Sequence, residues 1–188
     1  VQHQYSTGTA TEHSYRPALI HLFDNIIPGI GAQNEPKRES CGAPDFVFRR
    51  NDIEIGHCEA KDVSVDITQL NGQNLEQKAR YLKGLPNLIY TNCLDFEFFK
   101  EGELIRRITI ATIQGNRIVP NPAVYGELMA QLAAFVHEKP ATIGTAKRLA
   151  EIMAGKAILI KDIIARALIQ DLEKKKLTDL VGQYEGFK

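Results

Sequence analysis

The sequence predicts an α/β fold: a mixed central sheet flanked by helices, followed by an all-helical extension. Three observations predict it. Residues 46–60 read as a β-hairpin, followed by a segment of helical spacing and then a short apolar strand, Leu88-Ile-Tyr-Thr91. A strand–helix–strand unit normally closes as a right-handed crossover with a parallel pair, so the sheet mixes parallel and antiparallel neighbours. Finally, composition shifts across Gly115–Pro122, after which the apolar spacing is helical throughout.

Each element has its own local reason. Val1–Ala10 is polar and expected to be loose. Thr11 has the chemistry of an N-cap, and Glu12 onward carries Leu19, Ile20, Leu22, Phe23 and Ile26 at helical spacing until Pro28-Gly29 ends the run. Gly31–Ala43 reads as loop with at most a short strand. Phe46-Val-Phe-Arg-Arg50 is aromatic and β-branched, Asn51-Asp52 are turn formers, and Ile53–Ala60 resumes as strand. Asp62–Asp66 is a polar connection. A helix is expected over 67–83, burying Leu70, Leu75, Ala79 and Leu82, with Gly84 and Pro86 as its stop. Glu97–Lys100, Glu101-Gly102 and Leu104–Ile113 form a second expected hairpin. Three helices follow, over 124–137, 142–153 and 157–183. The expected division is a domain over 1–118 and a helical segment over 119–188.

The chemistry concentrates at the first hairpin. Pro44-Asp45 is followed, after thirteen intervening residues, by Glu59-Ala60-Lys61. A three-residue loop over Asn51, Asp52 and Ile53 would pair Phe48 with Gly56, Phe46 with Cys58 and Asp45 with Glu59. Phe46, Phe48, Cys58 and Ala60 then share an apolar face, and Asp45, His57, Glu59 and Lys61 share the other. Two neighbouring carboxylates repel each other, and a divalent cation relieves that repulsion. Mg²⁺ takes one or two carboxylates plus waters and phosphate oxygens, so Asp45, Glu59 and the backbone carbonyl of Ala60 make a suitable set. Lys61 adds a compact cation able to orient a water or stabilise phosphoryl charge. The bland alternative is a turn dipeptide and a surface tripeptide met by chance.

Composition narrows the classes. The chain has 188 residues, 44% of them hydrophobic, and its 23 Lys and Arg balance 23 Asp and Glu, which excludes a module gripping nucleic acid by charge alone. Cys41, Cys58 and Cys93 show no metal spacing and suit a reducing cytoplasm. No apolar run approaches membrane-spanning length. The run Lys174-Lys175-Lys176 is most simply a solvated face.

These residues resemble the PD-(D/E)XK nuclease superfamily, whose motif Asp45, Glu59 and Lys61 match. More specifically, Thr11-Glu-His-Ser-Tyr-Arg-Pro-Ala-Leu19, Asn34-Glu-Pro-Lys-Arg38, Cys41-Gly-Ala-Pro-Asp-Phe46, Glu59-Ala-Lys-Asp62 and Pro86-Asn-Leu-Ile89 resemble the N-terminal nuclease region of single-chain restriction–modification enzymes. These are similar to type IIG and type I single-polypeptide systems, which fuse a nuclease, a helical connector and an adenine methyltransferase. The likeness covers about the first 115 residues, and the helical tail resembles the connector more loosely.

The resemblance implies a restriction-endonuclease-like core and a Mg²⁺-dependent DNA endonuclease (Mn²⁺ substituting), located in a bacterial or archaeal cytoplasm. Its implied partners are double-stranded DNA, the methyltransferase and target-recognition domains of the same parent chain, and a second nuclease domain on the duplex. The chain is then expected to be an N-terminal part of a longer protein. The resemblance also implies a metal-proximal Glu12, the alternative being an acid favourable to the helix dipole. It implies that Gln77 and Tyr81, four apart on one helical face, support the site and touch DNA, Tyr81 being as readily a core residue. Lys37 and Arg38 are placed to reach phosphates or to sit in a solvated loop, and His57 is a neighbour rather than a ligand. Two other readings stand beside the endonuclease: a catalytically silent nuclease-fold module binding DNA or a partner, and a resolvase or repair nuclease.

Overall fold

The computed structural model describes residues 1–6, 12–26, 31–34, 44–51 and 53–137, and in the C-terminal part 149–150, 153–158, 160–161, 164–165 and 169. Six strands form one sheet in sequential order: β1 (Gly31–Asn34), β2 (Phe46–Arg50), β3 (Ile53–Ala60), β4 (Asn87–Thr91), β5 (Asp95–Lys100) and β6 (Glu103–Thr109). β3 and β4 are parallel, joined through helix α3 (Gly72–Gly84), and the other neighbours are antiparallel. This is the mixed sheet flanked by helices that the sequence predicts for a restriction-endonuclease-like core. Helices α1 (Gln2–Ser6) and α2 (Glu12–Ile26) precede the sheet. A separate hairpin of β7 (Ala111–Gln114) and β8 (Arg117–Pro120) follows it, then a 3-10 turn and helix α4 (Tyr125–His137).

The pleat sorts the core into two layers. Phe46, Phe48, Cys58, Ala60 and Ile89 pack with Leu19 and Phe23 of α2 and with Leu132 and Phe135 of α4. Phe23 meets Phe46 and Phe48 edge-on, with ring centroids 5.7 and 5.0 Å apart, a geometry contributing about 1 kcal/mol per pair beyond area burial. Leu88 and Tyr90, one residue out of phase with Ile89, face the other way and pack with Ile67, Tyr81, Leu85 and Phe99. The sheet therefore lies between α2 and α4 on one side and α3 on the other. α4, which the sequence places in the helical segment after 118, contributes Leu128, Leu132, Phe135 and Val136 to the first of these cores. The closeness of that packing fixes Gly56: a Cβ there would stand 2.6 Å from Cζ of Phe135.

Several local expectations are corrected. The first hairpin turns over two residues, not three: Arg50 pairs with Ile53 and Arg49 with Glu54, with Asn51 at φ 48°. A bulge at Ile55 then restores the pairing of Phe48 with Gly56 and Phe46 with Cys58, so the expected faces survive a different turn. Ile55 itself is buried. α3 begins at Gly72 rather than 67, and Leu75, expected inside, is 52% exposed. Its inward face is the polar one carrying Gln77, Lys78 and Tyr81, because the sheet end it covers bears charged groups. The expected 104–113 strand breaks at Ile110, whose N–H donates to Leu94 and whose carbonyl accepts from Asn121. Residues 2–6 are helical rather than loose, and Gln2 Oε1 accepts the Ile118 N–H at 2.6 Å.

Candidate active site

Asp45 stands one residue before β2, and its position is set by the neighbouring strand. Its Oδ2 accepts the Ala60 N–H at 2.8 Å, which pins the carboxylate across the end of β3. Glu59 projects from the last turn of the β3 pleat. The β3–β4 ladder continues through Lys61, whose N–H donates to the Thr91 carbonyl at 2.7 Å, so period-two alternation still holds there. Lys61 and Glu59 accordingly point to the same side: Lys61 Nζ donates to Glu59 Oε1 at 2.6 Å. Asp45, Glu59 and Lys61 are only 5%, 3% and 7% exposed.

α3 completes this side. Lys61 Nζ also donates to Gln77 Oε1 at 2.7 Å, and Gln77 Nε2 donates to Tyr81 Oη at 3.0 Å. The four-residue spacing of Gln77 and Tyr81 is what lets one amide bridge the lysine and the phenol. Tyr81 is fully buried, as in the core-residue alternative that the sequence left open beside a DNA contact. Burial, reinforced by the charge of Glu59, raises its pKa above the ordinary tyrosine value and keeps the phenol protonated. The sequence thus brings Asp45, Glu59, Lys61 and Gln77 into one cluster. The Glu12 side chain and residues Lys37 and Arg38 lie outside the described residues.

Sequence reasoning missed Arg16. It reaches Asp45 from α2, its Nη2 meeting Oδ1, with both side chains nearly inaccessible to solvent. The available signal was its position: an arginine between the core residues Tyr15 and Leu19, where a charge is tolerated only beside a buried partner. A second missed cluster lies on β5, where Glu97 accepts from Lys78 at 2.5 Å and from Arg107 Nε and Nη2 at 2.9 and 2.5 Å. Lys78 also sits over the Tyr90 ring, 4.9 Å from its centroid. Lys78 also donates to the Ile67 carbonyl at 3.0 Å, so the network ties α3 to β5 and to the segment before the helix.

Two residues near the carboxylates take no part. His57 Nε2 is held by Glu54 Oε1 at 2.9 Å, and this hydrogen bond is the largest cause of a Glu54 pKa lowered to about 2. Burial, with the charges of Asp45 and Glu59, pushes the Cys58 thiol well above its ordinary value, so it is a neutral core group. Among the described residues no group of three or more His, Cys, Asp or Glu is placed to hold a metal ion. The oxygen donors on hand are the carboxylates of Asp45 and Glu59 and the Ala60 carbonyl. This set lacks nitrogen and sulfur ligands and fits Mg²⁺, which keeps several waters and substrate oxygens in its shell. The buried carboxylates also face cations already, Arg16 and Lys61, which marks the cluster as one that needs positive charge.

Among the described residues no helix is long and apolar enough to cross a membrane. No family model matches the sequence, and no curated protein matches it. Among solved structures, the cryo-EM structure of a DrdV–DNA complex is similar in fold, with a TM-score of 0.52 at 18% identity over 74% of this chain. The chain spans 14% of the length of that DrdV chain.

Proposed function

We propose that this chain is a Mg²⁺-dependent DNA endonuclease domain of the PD-(D/E)XK type, the cleavage module of a larger restriction–modification enzyme. The observation that carries the reading is the convergence of Asp45, Glu59 and Lys61 at the adjoining ends of β2 and β3, with Gln77 holding the lysine. A DNA substrate is supported by the DrdV structure, which is a DNA complex of similar fold. In this reading the partners are double-stranded DNA, methyltransferase and target-recognition domains of the same parent chain, and a second nuclease domain for the opposite strand.

Asp45, Glu59 and the Ala60 carbonyl would hold Mg²⁺, with Mn²⁺ as a substitute. When bound, the ion supplies a water of lowered pKa and a polarised phosphoryl oxygen. The residues do the rest by position. Ala60 N–H fixes the rotation of the Asp45 carboxylate. Gln77 fixes Lys61, so its ammonium stays beside Glu59, where it can orient the attacking water or balance charge on the phosphoryl group. Phosphoryl transfer asks little more of a protein than such positioning and charge.

The test is plasmid nicking by the parent protein, or by this chain at high concentration, with Mg²⁺ or with Ca²⁺. Mg²⁺-dependent nicking should be lost in both Asp45→Asn and Lys61→Ala. Nicking that survives in both variants would move the chain to the silent binding-module reading.

A further inference from the structure

We propose that Arg16 is the place-holder for the divalent cation at Asp45: it neutralises the carboxylate in the metal-free protein and competes with the ion for it. The inference rests on the nuclease reading and deepens it, since it assigns a positioning residue that controls metal entry.

The two oxygens of Asp45 are engaged differently. Oδ2 accepts a backbone N–H from Ala60, a bond that belongs to the strand end and is lost only if β2 and β3 part. Oδ1 meets the Arg16 guanidinium, a side-chain contact that a rotamer change releases. The exchangeable partner is therefore the arginine. Both side chains are almost completely buried, 6% and 5% exposed, and a carboxylate at that depth is strongly disfavoured without a countercharge. Something positive must stand beside Asp45 before a metal arrives, and Arg16 does.

Lys61 is not equivalent. Its carboxylate partner is Glu59, and Gln77 of α3 holds it as well. Arg16 comes from the opposite layer, on α2, whose Leu19 and Phe23 pack on the apolar face of the sheet. Its guanidinium meets the Asp45 carboxylate just before β2. A cation that must be displaced lowers apparent metal affinity by the fraction of molecules in which it has already moved away. Removing it should then weaken the metal-free protein and strengthen metal binding, opposite signs that a merely structural arginine would not give.

The experiment is thermal denaturation and isothermal titration with Mn²⁺ and Mg²⁺ on this chain, comparing wild type, Arg16→Gln, Arg16→Lys and Asp45→Asn. Arg16→Gln should melt below wild type without metal, gain a larger melting-temperature rise from metal, and bind Mn²⁺ roughly tenfold more tightly or better. Arg16→Lys, keeping the charge but not the planar fork, should fall between the two, and it carries the test should the glutamine variant not fold. A metal response in wild type that Asp45→Asn abolishes, with neither Arg16 variant binding metal more tightly than wild type, overturns the place-holder while leaving the metal site standing. No Asp45-dependent metal response in wild type overturns the metal reading itself, and the place-holder with it.

Discussion

Gln77→Ala removes the α3 side chain that accepts from Lys61, the lysine proposed to be catalytic. The amide accepts from Lys61 Nζ at 2.7 Å and donates to Tyr81 Oη at 3.0 Å. The first is a hydrogen bond to a charged group and the second joins neutral partners, and both lie in a largely buried setting. Their combined loss should cost about 2 kcal/mol, and for a chain of this size that lowers the melting temperature by roughly 4–8 °C. Lys61 keeps its contact with Glu59 but is freed from its second restraint. A reacting group misplaced by about 1 Å can lose roughly a hundredfold in rate, so nicking should slow by about 10–100-fold. Gln77→Glu is the informative companion. It still offers an oxygen to Lys61 and can accept the Tyr81 hydroxyl proton, so its rate should stay within about tenfold of wild type. The assay pairs urea denaturation with single-turnover nicking at saturating Mg²⁺. Wild-type nicking by Gln77→Ala would refute the positioning argument, and an unchanged urea midpoint would refute the bridge itself.

Two further outcomes test the frame. Gly56→Ala should cost about 1–3 kcal/mol, because its Cβ would drive into the Phe135 ring, while Phe135→Leu in the same chain should recover part of the loss. Strict additivity in a urea double-mutant cycle would show that α4 does not press on β3. Glu54 has its pKa lowered from 4.5 to about 2, chiefly by the His57 hydrogen bond, so its contribution is complete above about pH 4.5 and is lost as pH falls through about 2. With the side chain 35% exposed, solvent screening reduces that contribution to about 1 kcal/mol. Glu54→Gln should flatten this part of the acid-unfolding curve followed by circular dichroism, and parallel curves would sink the assignment.

What could be read from the sequence was local or periodic. Asp45, Glu59 and Lys61 were legible because a hairpin relates them, and hydrophobic alternation fixes which residues share a face. Even the wrong turn length did no harm there, since the apolar set Phe46, Phe48, Cys58 and Ala60 selects its register and the Ile55 bulge absorbs the difference. α2 and the parallel β3–β4 pair were legible for the same reason. The helix over α3 was found, but its buried face only in part: Leu82 packs against the second core, whereas Leu75 is exposed. Hydrophobicity pointed Leu75 inward, whereas the helix covers a charged strand end and turns Gln77, Lys78 and Tyr81 toward it. Periodicity assumes an apolar target, and here the target is mixed, with Leu88, Tyr90 and Phe99 beside Lys61 and Glu97. The Arg16–Asp45 and Lys78–Glu97 pairings were not legible: the position of Arg16 between core residues signals a buried partner, but nothing in sequence names a partner 29 or 19 residues away on another element.

The charge balance of the site gives those long-range pairs a meaning for order of events. Among the described residues, Asp45 and Glu59 carry two negative charges and Arg16 and Lys61 two positive ones, so these four sum to zero. The whole chain is neutral as well. Neither the site nor the surface sum therefore draws a polyanion strongly. On the proposed reading a divalent cation adds two units and displaces the one carried by Arg16, a net gain of one at the carboxylates, in a setting where solvent screens little. The phosphate then meets a positive site only after the metal is in place, and metal binding precedes productive engagement of DNA. On that reading the domain is quiet by electrostatics until it is loaded.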